Sequence, residues 1–358
     1  MAEKIKILKD STERQAEEDD ILERHPDWPQ LDVKFYFASH GNARDMEGVA
    51  PHLAEADILL YENTGRTPKV RKQYDHASQN PTEDIETLIN DGNYKGLPLR
   101  GHSTEPLLRG IYKTGKAVGT LDVGSESYKD SELLDRTYKA LRKMANRDLS
   151  YKSALIMTKN NAREVANTQA EREERMVENF EDEIEFIFKT RPDLVEKETV
   201  NILITIGSFH TSLGRRFANH GISSTRDFSA GPDYKYSHKL ELQRDFMYGI
   251  TPSDELLKDA LSEDIVMLAL GGELVAIDDI PTEEIDEYIR RYVSDLSDEE
   301  REKLYELYHA DRLTVDAIND LISVGQGRTK LVKVGSEIEK ANKNHRIRVK
   351  KLGKAVRH

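Results

Sequence analysis

The chain has 358 residues, of which 37% are hydrophobic and 33% charged, and a formal net charge of −13. That length can bury a sizeable core in one large or two medium domains, and the negative charge argues against non-specific binding of nucleic acid or anionic membrane by the body of the protein. The sequence holds no cysteine, which excludes disulfides, thiolate metal sites and a cysteine nucleophile and suits a reducing compartment.

Residues 1–30 are charged and weakly periodic, and Pro26 and Pro29 break any helix there, so they read as an N-terminal arm. Met1 to Leu8 lacks the apolar core of a signal peptide. The first strand is expected at 33–39, apolar and ending on Ser39-His40-Gly41. Met46, Val49, Leu53 and Ala56 then follow a helical period, with Pro51 expected to kink or split the helix. A second strand at 57–61 stops at Glu62. Glycines and prolines punctuate 63–115, which predicts loops and short helices. A third strand, starting at Ala117, reaches Asp122. Residues 130–190 read as helix, with Met176, Phe180, Ile184 and Ile187 or Phe188 as an apolar stripe. Strand 201–206 ends in Gly207-Ser208-Phe209-His210, and Ser224 to Phe228 is a last short strand.

From about 250 the pattern turns helical, with a capping box at Ser297 and Glu300. The longest apolar run, Ile265 to Ile277, contains Gly271, Gly272 and Glu273 and is too short to span a bilayer. The last segment, 330–358, carries ten Lys or Arg against Glu337 and Glu339, a local charge of +8 that leaves −21 on the rest of a chain whose total is −13. The expected architecture is α/β: a mainly parallel sheet flanked by helices over 31–249, an appended helical subdomain at 250–329 and a basic tail at 330–358. A soluble, cytoplasmic protein is expected, without membrane contact. Nucleic acid is not an expected partner, since only the tail is basic and few aromatics are present for stacking.

His40, Glu62, Asp122 and His210 each follow an apolar strand, and in a parallel sheet the carboxyl ends of strands converge on one crevice. Two histidines and a carboxylate form a hydrolytic set. As ligands, His40, Glu62 and His210 can hold a divalent ion (zinc, manganese or cobalt) with a position open for water, whose pKa on zinc falls toward ~7. Without a metal, one histidine can act as general base, with Glu62 or Asp122 fixing its tautomer. Arg175 can steady a developing oxyanion or a substrate carboxylate. On this reading His40→Ala and His210→Ala lose activity while the melting temperature stays within a few degrees.

The order of these features resembles the superfamily that includes erythromycin esterases, the ChaN haem-binding lipoproteins and the TraB/PrgY and Tiki proteins. The resemblance rests on Ala38-Ser39-His40-Gly41, Ala56 to Glu62, Val118 to Asp122, Glu171 to Met176 and Ile206 to His210, and covers about residues 31–230. It implies an enzyme that cuts an ester or amide bond of a small-molecule or peptide substrate, as an esterase or in a metalloprotease-like way. The ChaN-like relatives imply a different use of the same crevice, a ligand-binding or regulatory protein with haem as ligand, whose axial ligation falls to His or Tyr in a chain without cysteine.

Overall fold

The computed structural model describes residues 25–39, 43–62, 74, 76–79, 84–91, 93–94, 97–98, 103–121, 149–210, 212–229, 235–274 and 282–322. Its centre is a five-stranded, all-parallel sheet in the order β5-β2-β6-β1-β7. The strands are β1 (Gln30–Ala38), β2 (Ile58–Tyr61), β5 (Ala117–Thr120), β6 (Thr199–Gly207) and β7 (Ser224–Phe228). A separate antiparallel pair joins β3 (Asn93–Tyr94) to β4 (Leu97–Pro98). The α/β architecture expected from the sequence is therefore the observed one. β6 arrives late in the chain yet pairs with both β1 and β2, so three strands that end on candidate site residues lie side by side.

Alternation along the strands sends side chains to two covered faces. Val33, Phe35, Phe37, Ile58, Leu60, Ile202, Ile204 and Ile206 share one face. It is covered by the second half of α4 (Tyr151–Thr190) and by α6 (Leu213–Asn219). The stripe Met176, Phe180, Ile184, Ile187 and Phe188 is fully inside this layer. Phe37 belongs to it too, stacked between Phe35 and Phe228 with centroids 5.7 and 5.1 Å away. Tyr36, Leu59, Tyr61, Val118 and Leu203 face the other way. They meet a 3-10 helix (Ala43–Val49), α1 (Ala50–Glu55) and α3 (Thr104–Ile111). Pro51 splits the helical stretch as expected: it occupies the first turn of α1, where its missing N–H costs nothing. α2 (Ile85–Asp91) flanks α3. Trp28 pins the segment before β1, its ring edge-on to Phe188 at 5.4 Å and stacked on His25.

After the short α5 (Pro192–Val195), the chain past β7 is helical: α7 (His238–Met247), α8 (Asp254–Leu274), α9 (Thr282–Ser294), α10 (Asp298–His309) and α11 (Val315–Ile322). The expected capping box at Ser297 and Glu300 is formed in both directions. This helical part draws on chain from before residue 250 as well. Ala154 of α4 packs with Leu261, Ile265, Val293 and Leu304, and Ala162 packs with Leu242 and Leu257. Helix α4 has 40 residues, about 60 Å at 1.5 Å per residue, and it is buried in the bundle at one end and on the sheet at the other. No helix among the described residues is long and apolar enough to cross a membrane. The basic tail at 330–358 and residues 1–24 of the arm lie outside the described residues.

Polar side chains fix α4 against the sheet edge. Asn179 Nδ2 donates to the carbonyls of Thr120 and Leu121 at 3.1 and 3.0 Å, and Glu183 accepts from Thr120 N at 3.2 Å. These bonds satisfy backbone groups at the end of an edge strand, which would otherwise be costly to cover. The approach leaves no room for a side chain at Gly119. A Cβ there would lie 2.8 Å from Leu60 Cδ2 and 2.9 Å from Glu183 Cγ. Gly119→Ala is therefore expected to cost about 1–3 kcal/mol through overpacking, read as a lower denaturant midpoint with unchanged slope. A midpoint equal to that of the wild type would show that α4 is not pressed against β5.

Candidate active site at the strand ends

Glu62 is the first residue after β2, and its backbone N–H still bonds Thr205 O of β6 at 3.0 Å. It continues the even-numbered positions of β2, Ile58 and Leu60, which point toward α4. The carboxylate accepts from Arg172 Nη2 at 2.7 Å and from the backbone N–H of Gly207 at 2.7 Å. His210 follows β6 through a tight turn in which His210 N donates to Gly207 O at 3.0 Å and Leu213 N donates to His210 O at 3.1 Å. Glu62 and His210, far apart in sequence, thus meet with His210 Nε2 3.4 Å from Glu62 Oε1.

A second carboxylate closes the other side of the ring. Glu173 Oε1 lies 3.5 Å from His210 Nδ1. Its other oxygen accepts from Ser212 Oγ and from Arg216 Nε, the latter at 3.0 Å. Arg216 also pairs with Glu174. The charges alternate along the cluster: Glu62 and Arg172, His210 and Glu173, Arg216 and Glu174. His210 is 1% exposed and Glu173 fully enclosed, whereas the Glu62 and Arg172 side chains keep 7% and 15% of their surface. Arg172 is therefore the more open of the Glu62–Arg172 pair in front of the imidazole.

Burial alone pushes the His210 imidazole toward its neutral form. Glu62 and Glu173, one on each ring nitrogen, outweigh it and the opposing charge of Arg172, and they hold the pKa up at about 9 against an ordinary 6.5. At neutral pH the ring is then an imidazolium with both N–H groups turned to carboxylates. The contacts of 3.4 and 3.5 Å are long for hydrogen bonds, so the attraction is mainly between charges. Arg172 Nη1 is also 3.2 Å from His210 Nε2. That contact repels the imidazolium, but once the proton leaves, Nε2 can accept from the guanidinium. The cluster can therefore hold either form of the ring.

Of the residues singled out in the sequence, Glu62 and His210 come together. His40 and Asp122 lie outside the described residues, one beyond Ser39 at the end of β1 and the other next to Leu121 after β5. Arg175 is half-buried on α4 and forms no ion pair with any described residue; the guanidinium at Glu62 is Arg172. The apolar stripe carried this information. Stepping back from Ile184, Phe180 and Met176 by four residues reaches Arg172, and a stripe that faces the sheet there must face the strand ends one turn on. Glu173, Ser212 and Arg216 were not anticipated either, because the ion pairs join α4 to α6 across segments with no sequence proximity.

The metal set of His40, Glu62 and His210 fares differently for its two described members. An imidazolium and a carboxylate already paired with a guanidinium are poor ligands for a divalent cation, and Arg172 supplies the positive charge between them. As placed, Glu62 and His210 are turned to Arg172 and Glu173, and no step below is routed through a metal ion.

Comparison of this chain with protein-family models, with curated proteins and with solved structures gave no match.

The burial of His210 changes the expected result for His210→Ala. Removing the ring leaves Glu62 and Glu173 facing a hole with part of their charge uncompensated, which costs about 3–5 kcal/mol for a buried pair, so the melting temperature falls rather than holding within a few degrees. The raised pKa also sets a pH dependence. The folded value lies above the unfolded one, so the stabilisation is complete below pH 6.5 and is lost as pH rises through about 9. Unfolding free energies from denaturant titrations across that window are expected to fall in the wild type, by an amount on the order of a few kcal/mol. They are expected to stay level over the same window in His210→Gln. Equal slopes in the two proteins would show that His210 is not held charged.

Proposed function

We propose that this chain is a hydrolase of the erythromycin esterase, ChaN and TraB/PrgY/Tiki-like superfamily that cuts an ester or amide bond of a small-molecule or peptide substrate with activated water. The observation that carries this reading is the meeting of Glu62, Arg172 and His210 at the carboxyl ends of adjacent parallel strands, where α/β enzymes place their chemistry. The shared order of motifs supports it as well.

In this reading His210 is the acid rather than the base. A ring held at about 9 is charged at neutral pH and can donate Nε2–H to a leaving group or a developing oxyanion. Arg172 then takes over the vacated lone pair, which lowers the cost of giving up the proton. His40, two residues past the end of β1, is the group left to accept a proton from water. Asp122, directly after the described end of the β5 segment, adds a further carboxylate at the same edge of the sheet. Arg172, more open than Glu62, meets the substrate oxygen, the role first given to Arg175. A chain without cysteine suits the cytoplasm.

A second reading has the same cluster bind a ligand without turnover. The near-complete enclosure of His210 and its two carboxylate partners favour it, since a ring so held can serve as a fixed positive charge.

The two readings separate in one experiment. The purified chain is assayed on p-nitrophenyl butyrate and on a fluorogenic peptide-amide library, with His40→Gln and Arg172→Lys alongside. The hydrolase reading expects turnover that drops about 10²–10⁴-fold in kcat/KM in His40→Gln with the melting curve unchanged. Turnover at the wild-type rate in His40→Gln would sink the assignment. No turnover on any probe, together with a Soret band on haem titration that a histidine variant loses, would select the binding reading.

A further inference from the structure

The helical part carries a separate cavity, of about 270 Å³, between the start of α7, the middle of α8 and the second turn of α9. It holds none of the strand-end residues. Its charged lining consists of Lys239 from α7, Glu263 and Asp264 from α8, and Asp286 from α9.

Three of these four are satisfied. Glu263 Oε1 accepts from the backbone N–H of His238 and from its Nδ1, both at 2.8 Å, and Oε2 accepts from Lys239 N at 3.0 Å. It thereby caps the open N–H groups of α7. Asp264 accepts from Lys239 Nζ at 2.6 Å, which uses the cavity's one lysine. Asp286 is different. It lines the cavity and is partly buried there, yet it forms no hydrogen bond or ion pair with any described residue. Its surroundings are hostile to charge. Burial, Glu263 and the buried Asp45 of the 3-10 helix push its carboxyl up to about 7, and only Lys239 opposes them. A partly buried carboxyl among other carboxylates, with no partner of its own, costs stability unless something pairs with it.

Apart from Ser237, the rest of the lining is apolar. Ile289 of α9 faces Met267 and Leu268 of α8, which are 39% and 50% exposed although they are large hydrophobic residues on a helix otherwise well packed. The cavity volume equals roughly nine water molecules at ~30 Å³ each, small for a drug-sized ligand and right for one ring or short chain. A divalent metal does not suit it: among the described residues no three His, Asp or Glu are grouped to hold one. The missing complement is a single positive charge with an apolar body.

We propose that this cavity binds a small organic amine, with its ammonium on Asp286 and its hydrocarbon part between Ile289, Met267 and Leu268. An ammonium can donate to Asp286 and still turn its remaining N–H groups to Glu263 or Ser237, both on the wall. Since Asp286 shares the cavity with Glu263, Asp264 and Lys239 and feels Asp45 from behind, the bound cation favours its ionised form, and binding at neutral pH releases a proton. The inference stands apart from the hydrolase reading, because it uses no residue of the strand-end cluster.

The test is calorimetric titration of the full chain with 2-phenylethylamine at pH 7 in two buffers of different ionisation enthalpy. Saturable one-to-one binding is expected, with proton release. Asp286→Asn should weaken it at least tenfold without lowering the melting temperature, since an unpaired carboxyl is lost. 2-Phenylethanol, of the same shape without the charge, should bind at least tenfold more weakly to the wild type, a comparison that needs no variant to fold. No saturable binding of the amine, equal binding by the alcohol, or undiminished binding in a folded Asp286→Asn would each overturn the proposal.

Discussion

Everything at the strand ends hangs on two carboxylates sharing one imidazole. Glu62 reaches His210 from β2 and Glu173 reaches it from α4, and neither could be enclosed without a positive charge between them. The ring in turn could not stay charged at 1% exposure without both. Arg172 and Arg216 extend the alternation outward until it meets solvent. Each member is tolerable only because the next is present, so the order of β2, β6, α4 and α6 around this point is fixed by electrostatics as well as by packing.

The same arrangement decides what chemistry the cluster can offer. A histidine that is neutral at pH 7 takes protons; one held at about 9 gives them. Placing a guanidinium 3.2 Å from Nε2 penalises the charged ring slightly and rewards the neutral one. The difference between the two forms is thereby kept smaller than the carboxylates alone would make it, which suits a group that has to cycle.

Much of the fold was legible in the residues. The five strands were visible because a parallel sheet covered on both faces needs nearly continuous apolar runs, and Val33–Ala38, Ile58–Tyr61 and Ile202–Ile206 are such runs. Pro51 and the pair Ser297 and Glu300 marked helix starts through chemistry that is local to a few residues. The site was half legible. Strand ends announce themselves, so Glu62 and His210 could be named. Partners on a helix that returns from far along the chain are harder to name: within Glu171 to Arg175 only the four-residue step back from Ile184, Phe180 and Met176 separates Arg172 from Arg175. The pairing of α8 and α9 that leaves Asp286 alone is likewise a product of tertiary packing, invisible in a charged stretch of sequence.

Helix α4 bears on how the molecule comes apart. Its first turns supply Ala154 and Ala162 to the bundle, and its later turns supply Met176 to Phe188 to the sheet, with no loop between the two. A fragment cut at residue 250 would take α8 to α11 away from the helix they close on and strip the cover from Leu261 and Ile265. The two halves are distinct in architecture yet are built on one helix, so separating them exposes apolar surface of α4 whichever half keeps it.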